Sequence, residues 1–277
     1  MAGLSNPALG DPALLGVDPA RHAYAGAGHR WAEDATLAYR PLAEHLVGRC
    51  ALTPYNRAVL DAGAGTGAVG AVLAAAGALV TSCDLEHDML CGDRGVSRAG
   101  SAVVADIAAL PFRNGVFDIS VAGFVLNHVA DPVGGLSELG RVTRTGGVVL
   151  ASVFGEERAP AKEAIDAVLV TRGWQAPTWY RALHERAASL ATSDQFAGAA
   201  VRAGLVEPEV HCTNVDVGLD DPALIVRYRF GMPQVSVFLD TLTASARAAI
   251  VADAIEAVER TGTSFRPSVV ELVARVS

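Results

Sequence analysis

Residues 59 to 67 read Val-Leu-Asp-Ala-Gly-Ala-Gly-Thr-Gly, an apolar run that reaches Asp61 and then spaces Gly63, Gly65 and Gly67 two apart. Glycines at that spacing remove side chains where backbone must approach a ligand, and a helix opening directly after them offers free N–H donors. Asp84 follows about 20 residues later, at the end of the next apolar run, where a carboxylate accepts both hydroxyls of a ribose. Asp106 closes a third run and is positioned for an adenine amino group. Asp61 sets an acceptor or a negative charge near the start of the helix, which is awkward beside a pyrophosphate and suits a cationic ligand. The set Gly63-x-Gly65-x-x-Ala68 also satisfies the looser dinucleotide fingerprint, so the glycines alone leave NAD and another adenosine cofactor both open.

Beyond the acids, His128 lies just after a fourth apolar run, facing the expected reaction centre, and is a candidate base or acceptor-orienting group. The competing reading is a histidine that packs in, or bonds the backbone of, the Leu-Asn-His turn. His22, Tyr24 and His29 fall in a segment expected to fold over the cofactor, with Tyr24 covering one end of it or serving as a plain cap residue. Trp174, Trp179 and Tyr180, followed by His184 and Glu185, either line an apolar pocket or form the core of their own helical segment. Arg227 and Arg229, beside Phe230, Met232 and Pro233, belong to a pocket wall, a dimer face or a solvated basic turn.

Positioning these groups calls for alternating strands and helices. Strands are expected at 57–63, 78–84, 101–106, 117–123 and 148–154, with a helix over 66–77 closed by Gly77. A second helix, 131–145, has Asp131 as N-cap and Pro132 in its first turn, and Gly146 and Gly147 turn the chain into the fifth strand. Before this core, helical spacing runs from Trp31 to Val47, with Pro41 opening a second helix that Gly48 ends. After it, 156–203 and 220–261 read as helical, 209–219 alternates as a strand, and 267–276 is a last strand. Such alternation implies right-handed crossovers and a doubly wound parallel sheet. Residues 1–20, rich in Pro, Gly and Asp, form a leader.

Five stretches, "VLDAGAGTG", "CDLEHDML", "VVADIAALPFRNGVFDIS", "FVLNHVADP" and "ELGRVTRTGGVVLAS", resemble in order and spacing the successive motifs of class I S-adenosylmethionine-dependent methyltransferases acting on small molecules, the type 11-like group. The resemblance covers residues 57–154 and implies an α/β, Rossmann-like, doubly wound seven-stranded sheet with an antiparallel last strand. It implies S-adenosylmethionine as cofactor and S-adenosylhomocysteine as product. Gly63, Ala64, Gly65 and Gly67 would face the methionine part, Asp84 the ribose, and Asp106 with Ile107 the adenine. Leu85, Met89, Gly123 and Phe124 would complete the cofactor contacts, with Tyr24 and Asp61. Where most of the family has Pro-Gly-Gly before the fifth strand, this chain has Thr145-Gly146-Gly147. On this reading residues 1–277 are one methyltransferase domain: leader and helical cap (1–55), cofactor core (56–155), helical substrate insertion (156–208), and C-terminal strands with intervening helices (209–277).

Composition bounds the rest. A net charge of −8 with 22 scattered Lys and Arg repels phosphate backbones, so nucleic acid is not an expected partner. No apolar run approaches the roughly 20 residues of a membrane span, and a soluble, cytoplasmic protein is expected. Cys50, Cys83, Cys91 and Cys212 lack metal-ligand spacing and read as small buried hydrophobes, and no metal is expected. An NAD(P)-dependent oxidoreductase would need a Tyr-x-x-x-Lys pair or its equivalent, and the one lysine, Lys162, has no such tyrosine. Methyl transfer to O, N or C stays open, as do a bound-cofactor cyclisation or rearrangement, a pure binding role, and a homodimer. The acidic surface and aromatic insertion favour a neutral or apolar small-molecule acceptor.

Overall fold

The computed structural model describes residues 21–91, 100–157, 159–262 and 264–277; the expected leader lies outside them. The chain enters through a turn at 21–26, a short helix α1 (Gly28–Arg30), a π-helical turn (Trp31–Ala35) and α2 (Thr36–Gly48). The core follows as β1 (Ala58–Ala62), α3 (Ala68–Ala75), β2 (Leu79–Asp84), α4 (His87–Cys91), β3 (Gly100–Val104), β4 (Phe117–Gly123), a 3-10 turn (Leu126–His128), α5 (Pro132–Val142) and β5 (Thr143–Phe154). Next come α6 (Pro160–Thr171), α7 (Thr178–Ala188), α8 (Ser193–Arg202) and β6 (Val206–Asn214). Helices α9 (Pro222–Gly231), α10 (Pro233–Asp240) and α11 (Ala244–Glu259) precede β7 (Ser268–Arg275).

The seven strands form one sheet in the order β3-β2-β1-β4-β5-β7-β6. β1 to β5 run parallel, and β7 lies antiparallel between β5 and β6, as the resemblance implies. Central strands covered on both faces are apolar on both, and β1 and β4 are so apart from the buried Asp61 and Ser120. Leu60 and Ala62 join a cluster with Leu136, Leu139 and Phe196 under α5 and α8. Val59, Ile119 and Val121 face the other way, onto Leu46, Val69 and Leu73 of α2 and α3. A third cluster joins Trp31, Leu42, Ile165, Trp174, Val226, Phe230, Ile250 and Phe265, so the cap, the insertion and the C-terminal helices share one core.

Several expectations need correcting. Pro41 opens no second helix; it lies inside α2, and the break in α-helical geometry comes earlier, at the π-helical turn. The helix expected over 131–145 ends at Val142, and β5 begins at Thr143. Gly146 and Gly147 belong to this strand: the Gly146 N–H donates to the Val276 carbonyl at 2.8 Å, and a Cβ on Gly147 would stand 2.7 Å from the Asp118 carbonyl oxygen. The cap of α5 is as expected, with Asp131 accepting from the Gly134 N–H at 3.0 Å and Pro132 in the first turn. Of the cysteines only Cys83 is buried, whereas Cys91 and Cys212 are exposed. Among the described residues no helix is long and apolar enough to cross a membrane, and no three His, Cys, Asp or Glu side chains converge on a metal position.

Candidate active site

Sheet topology dictates where a ligand sits. From β1 the chain proceeds to β2 and β3 on one side and returns to β4 on the other, so the carboxyl ends of β1 and β4 part into a crevice. A cavity of about 320 Å³ opens there. Gly63, Ala64 and Gly65 form its floor, and Gly63 and Gly65 adopt φ of +69° and +55°. A Cβ on Gly63 would overlap Val125, so this glycine lets the turn after β1 pack against the chain leaving β4. A Cβ on Gly65 would come 3.4 Å from the Met89 methyl and 3.9 Å from Trp31, filling a cradle that is otherwise bare backbone. Gly67, at φ +97°, is the N-cap of α3 and lies outside the cavity wall.

The acids differ in their surroundings. Asp84 lines the cavity and accepts from the N–H groups of Gly65 at 2.8 Å and Glu86 at 2.9 Å. Burial pushes its carboxyl above the usual range, against the pull of those two donors. Asp106 also lines the cavity and pairs with Arg21 at 2.7 Å. Asp61 does not reach the wall. It is 1% exposed beneath α3, its Oδ2 has no hydrogen-bond partner among the described residues, and burial raises its pKa to about 7.

Leu85, Met89, Ile107, Gly123 and Phe124 complete the lining expected from the motifs. Phe124 holds φ +57° at the end of β4, its N–H donating to the Ser152 carbonyl at 2.9 Å. A left-handed non-glycine residue costs about 1–2 kcal/mol, and here it turns the ring onto the cavity. Tyr24 and His128 face each other across the same space, ring centres 5.0 Å apart. Desolvation, reinforced by the Arg186 charge, lowers the His128 pKa to about 4, so its imidazole is neutral near pH 7. His22 meets Glu86 at 2.6 Å, and His29 lies 3.6 Å from Glu33 on the surface.

Sequence reasoning missed Trp31 and Tyr39, which line the cavity from the cap. Tyr24 packs edge-on to Trp31 at 5.1 Å, Trp31 contacts Tyr39 at 5.0 Å, and Tyr39 meets Phe124 at 5.5 Å. Their aromatic character was visible, but nothing local distinguishes a cavity-facing aromatic from a core one. Arg21, which ties the entering turn to Asp106, lies outside every quoted motif, and Glu86, the partner of His22, stands inside "CDLEHDML" with nothing local to single it out.

Residues 60–151 match the family model described as a methyltransferase domain. Demethylmenaquinone methyltransferase of Beutenbergia cavernae is 41% identical over 96 residues, 35% of this chain and 40% of that protein. The chain thus spans less than half the length of that curated relative. Phosphoethanolamine N-methyltransferase 2 of Haemonchus contortus, solved with S-adenosyl-L-methionine, aligns with a TM-score of 0.55 at 17% identity over 85% of this chain and 52% of that one. The [4+2]-cyclase SpnF aligns with a TM-score of 0.52 at 18% identity over 86% and 80% of the two chains. At these identities the likeness to the solved structures is one of fold.

Proposed function

We propose that this chain, whose residues 60–151 match the methyltransferase-domain model, is a class I S-adenosylmethionine-dependent methyltransferase that transfers a methyl group from that cofactor to a small organic molecule of a biosynthetic, secondary-metabolite kind. The product cofactor is S-adenosylhomocysteine. We read residues 1–277 as one domain that carries both cofactor and acceptor. The observation that carries the reading is the two-sided wall of the cleft, with bare glycine backbone and the Asp84 and Asp106 carboxylates on one part and the rings of Tyr24, Trp31 and Tyr39 on another.

The bound cofactor would supply a methyl group on a positively charged sulfur. Because that leaving group is already charged, the protein has mainly to align the acceptor and keep the site dry. The residues fit those tasks. Asp84 has spare acceptor capacity beyond its two backbone donors and would take the ribose hydroxyls. Asp106 and Ile107 would hold the adenine, with Arg21 closing over them. The faces of Tyr24, Trp31 and Tyr39 exclude water and attract a cation. His128, neutral and beside Tyr24, would accept a hydrogen bond from the acceptor's reacting group.

A second reading keeps the cofactor and drops the transfer, using the same cleft for cyclisation or rearrangement, or for binding alone. Its support is the weak basicity of His128, which at a pKa of about 4 takes few protons near neutrality. Titration calorimetry with S-adenosylmethionine, S-adenosylhomocysteine and NADH tests the cofactor. Micromolar binding of the first two, about 8 kcal/mol, weakened at least tenfold in Asp84→Ala, is expected, and preference for NADH would discard the reading. A labelled-methyl assay then separates transfer from the second reading.

A further inference from the structure

α9 carries two arginines with opposite fates. Arg227 sits at the surface on Asp34, at 2.7 Å. Arg229 is 2% exposed, and its Nε donates to Asp166 Oδ1 at 2.8 Å. The other oxygen of Asp166 accepts from Lys162 at 2.9 Å, so two cations share this one carboxylate. The guanidinium lies over the faces of Trp174 and Tyr180, its carbon 5.7 Å and 5.6 Å from the ring centres. Among the described residues its Nη2 has no hydrogen-bond partner. Nearby, Trp174 donates from its indole nitrogen to the Gln234 carbonyl at 2.8 Å, and the buried Gln234 Oε1 is likewise unpartnered among the described residues.

A buried guanidinium with an idle donor and a shared counter-ion is poor structural design. A clamp joining α6 and α9 would be at least as well served by apolar side chains. The surroundings tie this charge to the cleft. Four of the five tyrosines connect it to the cleft: Tyr180 lies against the guanidinium, Tyr180 and Tyr24 both pack on Trp179 at 5.8 Å and 6.2 Å, and Tyr228, its neighbour on α9, contacts Tyr39 at 6.5 Å. Tyr24 and Tyr39 also line the cavity, so Arg229 stands behind its aromatic wall.

We infer that Arg229 anchors an acceptor subsite for an oxyanion, and that the methyl acceptor is a small aromatic carboxylic acid whose carboxylate takes the free Nη2 donor while its ring lies among Tyr24, Tyr39 and Tyr180. This rests on the methyltransferase reading and departs from the neutral acceptor that the acidic surface suggested. The acid reaches the guanidinium past Tyr24, which belongs to the turn at 21–26 and not to a helix. A planar guanidinium suits a carboxylate because it donates in a fixed fork.

The test titrates the S-adenosylhomocysteine-loaded protein with benzoate and phenylacetate and with the corresponding amides, benzamide and phenylacetamide. The inference expects each acid to bind at least tenfold more tightly than its amide. It expects Arg229→Gln to abolish that preference, Arg229→Lys to retain part of it, and Arg227→Gln to leave it intact. Equal binding of acid and amide by the wild type, or no binding of either, overturns it without recourse to a variant, so a misfolded Arg229→Gln protein does not shelter it. Preference retained in folded Arg229→Gln overturns it too. Failure of S-adenosylhomocysteine to bind is seen in the first titration and removes the underlying reading as well, which tells the two failures apart.

Discussion

Two desolvated titratable side chains near the cleft, one half-buried and one buried, pull in opposite directions with pH. His128 titrates near 4 in the folded chain against about 6.5 when unfolded, so between those values the unfolded state binds the extra proton and stability falls as pH falls. Asp61 titrates near 7 against about 3.9 unfolded, so in its window the folded state binds the extra proton and stability falls as pH rises. Each contributes at most about 1.4 kcal/mol per pH unit, and between pH 4 and 6.5 the two largely cancel in the wild type. Relative to wild type, His128→Gln should therefore gain stability as pH is lowered through that window, and Asp61→Asn should gain it as pH is raised. Urea denaturation at half-unit pH steps reads both; parallel curves for wild type and both variants would show that neither shift exists. The positions of His128 and Asp61 at strand ends were legible in the sequence. Their protonation was not, because Arg186 and the packing that desolvates them come from distant segments.

At the scale of elements, the core strands were readable because a parallel strand covered on both faces has to be a short apolar run bounded by turn residues. β4 falls on 117–123 as expected, and β1 and β2 lie within a residue or two of expectation. The misreadings occurred where a neighbouring chain overrides a local signal. Gly146 and Gly147 resemble a turn until Val276 and Asp118 approach them, which makes them a glycine-requiring part of β5. The anchoring of the cap was equally invisible: Glu271 in the middle of β7 is fully buried, and it accepts from His45 at 2.8 Å and Arg49 at 3.1 Å, both on or just after α2. Removing one partner from a buried charge cluster costs about 3–5 kcal/mol, and because His45 and Arg49 keep partial contact with water the lower end applies. Glu271→Gln should thus lower the melting temperature by several degrees, whereas His45→Gln, which leaves Arg49 in place, should lower it less. A melting curve for Glu271→Gln superimposable on wild type would mean that α2 is held by its apolar face alone.

On the scale of the whole molecule, the half of the cleft that we assign to the cofactor was legible and the half that we assign to the acceptor was not. The first is built within about a hundred consecutive residues as ordered motifs at strand ends. The second is assembled from the entering turn, α2, α7 and α9, which meet on the third core cluster, and from the 3-10 turn after β4, which packs on the cluster under α5 and α8. That assembly also governs how a ligand leaves. The turn at 21–26 is fastened by Arg21 to Asp106 and His22 to Glu86, both pairs with one well-exposed partner. Such pairs contribute about 0–1 kcal/mol each and weaken with salt. Tyr24 instead packs edge-on against Trp31 and His128 and contacts Trp179 at 6.2 Å, and aromatic pairs add about 0.5–1.5 kcal/mol each beyond their buried area. Closure over the cofactor should then depend on the ring more than on the charges. In stopped-flow measurements Tyr24→Ala should release S-adenosylhomocysteine about tenfold faster or more, as a loss of roughly 1.4 kcal/mol requires. The double variant Arg21→Ala, His22→Ala should quicken release only a few-fold, with the difference from wild type vanishing at high salt. If the double variant proves the faster of the two, electrostatic fastening holds the turn, and the aromatic wall would serve the acceptor without guarding the cofactor.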